Sequence, residues 1–264
     1  MKKFLAFGDL HYGYDKVIDS TGRVMVQPVH DVKAFQCMMK FAKVFKPDIV
    51  MMMGDVFNMQ PVSRHVIHDS PKKVEGQRLV QDYQEGNEFF LKPILSLGAE
   101  THWFDGNHEA WAYQLVTKFP GIDGLVDPYT YLEMKKRGIH FHKQGEFFKL
   151  GKLAFHHGDN FVKGSVRYVA QRAVEKYGSS IRVWHFHTYQ VYTRETLKNN
   201  AYQTGMAIPC LCNRGPAYDT TQFNSWMHGF LYGYIEPSGA FHDNVSVIWK
   251  GKTVAEGKVY DANK

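Results

Sequence analysis

Cysteine is scarce in this chain. Cys37, Cys210 and Cys212 are its only three, an odd number without the spacing of a disulfide framework. A reducing compartment follows, and a cytoplasmic protein is expected. Cys210 and Cys212 stand close enough in sequence to share a metal; the reading adopted is reduced structural thiols. Long hydrophobic runs are also missing. Ile49 to Met53 is bounded by Asp48 and Asp55, far short of the ~18 uninterrupted apolar residues of a membrane span. Lys2 and Lys3 lead into an apolar run that ends at Gly8 and Asp9, shorter than the roughly 7–15 residues of a signal-peptide core, so no export is expected. Dense basic tracts are absent too. The net charge of +6 with histidine neutral suits an anionic substrate without demanding DNA. No repeat, low-complexity tract or linker divides the chain, so residues 1–264 are expected to form one domain.

What is present is apolar and aromatic side chains in quantity, 44% and 15% of the 264 residues, ample for a core without staples. They fall in runs that repeatedly end in polar, metal-capable groups. Phe4 to Phe7 reads as a buried strand closed by Gly8-Asp9-Leu10-His11. Tyr12 to Pro28 has no periodicity and reads as a loop over that end. Val32, Phe35, Met38, Met39, Ala42 and Phe45 recur at three- and four-residue steps, with Asp31 placed to cap the helix and Pro47 beyond its end. Asp48 to Met53 is a second strand and runs into Gly54-Asp55-Val56-Phe57-Asn58. Met59 to Gly76, with Arg64, His65, His68, Lys72 and Lys73, is a long irregular insertion. A helix marked by Leu79, Tyr83, Phe90, Leu91, Ile94 and Leu95 follows. The strand Ala99 to Phe104 then delivers Asp105-Gly106-Asn107-His108-Glu109. His102, inside that strand, reads as a satisfied residue.

Alternating strands and helices, with functional groups after each strand, describe an open α/β sheet whose site lies at the carboxyl edge. From Ile139 the texture changes. Phe147 to Phe155 reads as a hairpin turning at Gly151-Lys152, and its second arm enters His156-His157-Gly158-Asp159. A helix at Val166 to Tyr177 leads to a strand, Ile181 to Trp184, that ends in His185-Phe186-His187. The remainder is short β-rich runs, with turns at Gly205, Gly215-Pro216 and Pro237-Ser238-Gly239. The second half thus reads as a second sheet, packed face to face on the first with helices outside.

Asp9, His11, Asp55, Asn107, His157, His185 and His187 together offer two carboxylates, one amide and four imidazoles, all at or just after strand ends. One cation needs only three or four such ligands; two cations sharing Asp55 use all seven. The mixed nitrogen and oxygen set favours Mn, Fe or Zn over Mg or Ca, and two divalent metal ions, manganese first, are the expected cofactors.

In order, these clusters resemble the calcineurin-like metallophosphoesterase superfamily, whose motifs run D-x-H, G-D-x-x-D, G-N-H-D/E, H-G and G-H-x-H. The resemblance covers Asp9 to His187, about two-thirds of the chain. It implies a four-layer α/β-β/α sandwich of two packed mixed sheets flanked by helices, here without a separate capping domain. It makes Asp9, His11 and His187 ligands of one metal, Asn107, His157 and His185 ligands of the other, and Asp55 the bridge. His108 becomes the catalytic histidine, a proton donor to the leaving oxygen. His156 is a rival to His157, which directly precedes Gly158. Two positions depart from the pattern. Asn58 stands where a carboxylate pairs with the catalytic histidine in much of the superfamily, and Trp184 replaces the glycine before His185.

The chemistry implied is in-line attack of an activated water on a phosphoester. Gly8 to Gly13, His30 and Gly54 to Phe57 are similar to SbcD-type DNA repair nucleases, so a phosphodiesterase or nuclease acting on DNA or a nucleotide is expected, with no membrane and no obligate partner. A phosphomonoesterase or protein phosphatase is the alternative, although Met59 stands where those phosphatases carry arginine. A non-catalytic nucleic-acid-binding protein is a third, against which all seven ligands are present.

Overall fold

A computed structural model of the chain describes residues 1–18, 21, 23–63, 74, 76–196, 201–214 and 225–264. Its layers follow from the alternation of side chains along two central strands, β1 (Lys2–Phe7) and β4 (Ile49–Met53). On β1, Phe4 and Ala6 face one core while Leu5 and Phe7 face another; on β4, Ile49, Met51 and Met53 join the first core and Val50 and Met52 the second. A strand apolar on both faces must be covered on both, which is why these runs do not alternate with polar residues.

β1 and β4 pair in parallel. β5 (Glu100–Phe104) and β6 (His140–His142) extend the sheet in parallel on one side. On the other side β12 (His228–Ile235) and β13 (Phe241–Ile248) add antiparallel, giving the order β13-β12-β1-β4-β5-β6. The second sheet runs β10-β11-β9-β8-β7, from β7 (Phe148–Leu150), β8 (Leu153–His156), β9 (Ile181–Val183), β10 (Gln190–Thr196) and β11 (Ala201–Ala207).

Phe4, Met51 and Phe104 from the first sheet meet Leu153, Phe155 and Trp184 from the second in the inner core. Outside the first sheet lie the helix Val32–Phe45 and the helical stretch from Leu79; outside the second lies the helix Val169–Tyr177. The architecture is therefore α/β, two mixed sheets face to face between helices. Arg182 of β9 reaches across it to Asp243 of β13 through two contacts, Nε to Oδ2 at 2.5 Å and Nη2 to Oδ1 at 2.9 Å. Both side chains are buried, so this pair pins the two sheets in one register. No helix among the described residues is long and apolar enough to cross a membrane.

Asp31 caps its helix as expected, accepting from the Ala34 N–H at 2.8 Å. Four local readings need correction. Gly205 marks no turn but lies inside β11, paired with Tyr192 and Ile181, where the helix Val169–Tyr177 packs so closely that a Cβ would meet Ala170 O at 2.1 Å. The segment after His11 is not simply a loop, because β2 (Tyr14–Ile18) and β3 (Val24–Pro28) form an antiparallel ribbon; Val24 and Val26 are exposed on it, so no buried face marks it in sequence. The helix from Leu79 widens into a π-helical turn over Asn87–Leu91. Pro93, just beyond, has no N–H and its ring crowds the carbonyl of Phe89, which that widening accommodates. Lastly, the carboxyl-terminal half does not form one sheet of its own, since β12 and β13 cross over to pair with β1. Periodicity reports a strand but not its partner. His65, His68 and the turn at Gly215-Pro216 lie outside the described residues.

Candidate metal centre

The loops after β1 and β4 are laced together as if the sheet continued. Asp9 N–H donates to Gly54 O at 3.0 Å, His11 N–H to Asp55 O at 2.9 Å and Tyr12 N–H to Val56 O at 2.7 Å. This brings the Asp9 and Asp55 carboxylates together although both are almost fully buried, at 0% and 1% exposure. The backbone there is strained. Asp9, His11, Asp55, His185 and His187 all have φ between 48° and 74°, five of the ten described non-glycine residues in the left-handed region. Each such residue costs about 1–3 kcal/mol and persists only where surrounding structure fixes it.

Asp55 occupies the middle of the cluster. Its Oδ1 accepts the backbone N–H of His108 at 2.9 Å. Its Oδ2 lies 3.2 Å from His157 Nε2 and 3.9 Å from both His185 Nδ1 and His11 Nε2. Asp9 divides its carboxylate likewise: Oδ2 accepts the His185 N–H at 2.9 Å, and Oδ1 faces His187 Nε2 at 3.4 Å. His11 Nε2 and His187 Nε2 are 3.3 Å apart. The His157 ring is fixed by its Nδ1–H, which donates to Met53 O at 2.8 Å and leaves Nε2 aimed at Asp55, the arrangement usual for a metal-ligating imidazole. His156 turns the other way, accepting the Gly158 N–H and packing on Phe147 and Phe161.

Asp9 Oδ1, His11 Nδ1, Asn107 Oδ1, His157 Nε2 and His185 Nδ1 are all buried without a hydrogen-bond partner. Unpaired polar atoms away from water are costly, and five among the candidate ligands fit divalent cations, whose preferred donors are such imidazole nitrogens and carboxyl or amide oxygens. The charges agree. Burial disfavours the charged form of His157, yet Asp55 beside it outweighs this and raises its pKa to about 10. Against burial again, Asp9 raises His187 to about 9. The two carboxylates thus demand positive charge in the cluster, which protons supply when cations do not.

Glycine is obligatory at two points. A Cβ on Gly106 would lie 2.1 Å from Asp55 Oδ1, and one on Gly54 would meet His157 Nδ1 at 2.6 Å. Gly8 is where the chain accommodates its departure at position 184. A Cβ there would meet the Trp184 ring at 2.7 Å, so the buried indole takes the space that a side chain at position 8 would fill.

His108 stands beside the cluster, its ring edge-on to His11 with centroids 4.4 Å apart. Its Nδ1–H donates to the backbone carbonyl of Asn58 at 2.7 Å. The expected contact with the Asn58 side chain is therefore replaced by one with its main chain. The amide turns away and donates from Nδ2 to Asp15 Oδ1 at 3.3 Å, so a carboxylate at position 58 would face Asp15 instead of His108.

Glu109 follows the catalytic-histidine position in its motif, where sequence alone assigns it no role. It is fully buried, and its carboxylate accepts four backbone N–H groups, from Asp55 and Gly106 at 3.0 Å, Val56 at 2.8 Å and Phe57 at 2.9 Å. One side chain thereby holds the loop carrying Asp55 against the start of the helix Asn107–Lys118. The available signal was Glu109 at the third position of a helix, where it reaches back to the capping residue. Burial, and then the charge of Asp55, push its acid up to about 7. The thiols of Cys210 and Cys212 are buried and outside any disulfide; Cys212 Sγ supports His187, 3.8 Å from its Nδ1.

No family model matches the chain, and no curated protein does. Among solved structures it is similar to Vps29 from Chaetomium thermophilum, at 10% identity and TM-score 0.46, covering 99% of this chain and 100% of that one. It is also similar to a metallophosphoesterase from Sphaerobacter thermophilus, at 12% and 0.42 over 94% and 88% of the two chains. A dimetal phosphatase from Danio rerio gives 8% and 0.42 over 89% and 93%.

Two outcomes follow from the geometry. Glu109→Gln sets an NH2 group against two backbone N–H groups whichever way the amide turns. Stability in urea should fall by at least about 2 kcal/mol, at roughly 1–3 kcal/mol per buried unpaired group; an unchanged midpoint would show that Glu109 does not hold the loop. Cation uptake should also release protons. His157 and His187, raised to about 10 and 9, are protonated near neutral pH in the cation-free protein, and a ligand nitrogen must shed its proton. Uptake enthalpies measured in buffers of different ionisation enthalpy should report about two protons released per chain, and affinity should rise with pH until those pKa values are passed. Enthalpies independent of buffer would contradict this.

Proposed function

We propose that this chain is a metallophosphoesterase of the calcineurin-like superfamily that hydrolyses phosphoesters at a dinuclear centre. The observation that carries the reading is Asp55 Oδ2, set between His11 on one side and His157 and His185 on the other. In this reading Asp9, His11 and His187 hold one cation, Asn107, His157 and His185 the other, and Asp55 both. The cations, when bound, supply an acidified water and positive charge for the phosphoryl oxygens.

The chain's own residues do the rest. Asp9 and Asp55 spend one oxygen each on backbone N–H groups, which fixes where the other oxygen stands. His108, oriented by the Asn58 carbonyl, presents Nε2 to the substrate. Burial lowers its pKa in the free protein, and the negative charge of a bound phosphate raises it again, favouring the form that can protonate a leaving oxygen.

The substrate in this reading is a phosphodiester, DNA or a nucleotide, met in the cytoplasm by residues 1–264 acting as one domain without an obligate partner. The nuclease-like opening segments and the net charge of +6 support it.

The test is hydrolysis of a diester and a monoester sharing one leaving group, with metal content measured in parallel. Asp55→Ala should lose bound metal and fall to background, whereas His108→Ala should keep its metal and lose roughly 10²–10⁴-fold in rate. Normal metal content and rate in Asp55→Ala would overturn the site. Faster turnover of the monoester would overturn the diester preference alone.

A further inference from the structure

A second row of titratable groups lies on the face of β5 and β6 that looks toward the second sheet, beginning with Glu100 and His140 at the amino ends of these strands, opposite the ends that carry the cluster. His102 and His140 are register partners on the two parallel strands, and Glu100 precedes His102 by two residues, on the same face. Glu100 Oε1 is 3.0 Å from His102 Nε2; His102 Nδ1 is 2.9 Å from His142 Nε2; His142 Nδ1 is 3.6 Å from Glu146 Oε2. Phe104 and Phe148 pack on the same rings, which fixes His102, 4% exposed, in place.

Carboxylates only accept, so the Glu100 contact calls for either an N–H at His102 Nε2 or a cation in its place. When His142 carries its proton on Nδ1, His102 donates from Nδ1 to His142 and its Nε2 lone pair points at a carboxylate oxygen 3.0 Å away. Burial lowers the pKa of both rings and so opposes a further proton on either.

We propose that Glu100, His102 and His140 form a second metal site, for a divalent transition cation of the zinc class, at the edge of the sandwich. Their donor atoms lie within 4.8 Å of one another. Glu100 and His140 are exposed, and small rotations of these two side chains bring all three donors to the ~2.0–2.2 Å of zinc ligation. His102 needs no movement, because its Nδ1–H to His142 leaves Nε2 bare, and a second hydrogen bond of this kind is what orients metal-ligating histidines. In that tautomer the cation stands between Glu100 Oε1 and His102 Nε2, where no proton lies, and solvent completes its coordination. β6 is the terminal strand of its sheet, so a cation held from both β5 and β6 clamps the open edge.

Equilibrium dialysis of the 264-residue chain against zinc, followed by elemental analysis, tests this. His140→Ala and Glu100→Gln both change exposed side chains and leave the central cluster intact. Each should bind about one zinc fewer per chain than the wild type, and the zinc-dependent gain in melting temperature should shrink by the same amount in both, with phosphoester hydrolysis unaffected. Equal zinc content in the wild type and both variants would overturn the proposal. Because the comparison is a difference at the strand edge, it is readable whether or not the central cluster proves to hold metal.

Discussion

Two carboxylates, Asp9 and Asp55, lie buried among imidazoles at the carboxyl edge of the first sheet, and much of the surrounding structure exists to keep them there. Ionised groups leave water only at a large cost unless compensated. Compensation is incomplete from the protein alone. Each carboxylate has one oxygen on a backbone N–H, while the other faces histidines, and Asp9 Oδ1, His157 Nε2 and His185 Nδ1 are left without a hydrogen-bond partner. Divalent cations fit such a site, and under the proposed function two of them share Asp55.

Holding that arrangement requires local order that works against backbone preference. Five candidate ligands sit in left-handed conformations, which side chains with a Cβ rarely adopt. Glu109 secures the Asp55 loop through four N–H groups, Gly54 and Gly106 allow the close approach of main chain to side chain, and the ladder from Asp9 to Tyr12 continues the β1–β4 pairing beyond the strands. The rigid sandwich behind them, crossed by the Arg182–Asp243 pair, is what lets these loops bear the strain.

The layered α/β architecture was legible because β1 and β4 are apolar on both faces and end in glycine and aspartate. The candidate ligands were legible because chain order placed one group after each strand. Other features depend on pairings that sequence does not record. β12 and β13 have strand periodicity whichever sheet they join. Asn58 is visible as an amide, but that its carbonyl, and not its side chain, meets His108 depends on the loop's path. Glu109 carried a helix-start signal whose four partners come from two segments about fifty residues apart. The Glu100–His102–His142–Glu146 row emerges only when β5 and β6 are set side by side; along the chain, His102 is a lone histidine in a strand.

Electron paramagnetic resonance of the protein loaded with manganese(II) tests the central claim most directly, because it reports whether two cations share a ligand. Two ions roughly 3.5–4 Å apart, joined through Asp55, should give the signal of an exchange-coupled pair at full loading, absent from Asp55→Ala. A spectrum of isolated manganese(II) at every loading, the same in both proteins, would contradict the account.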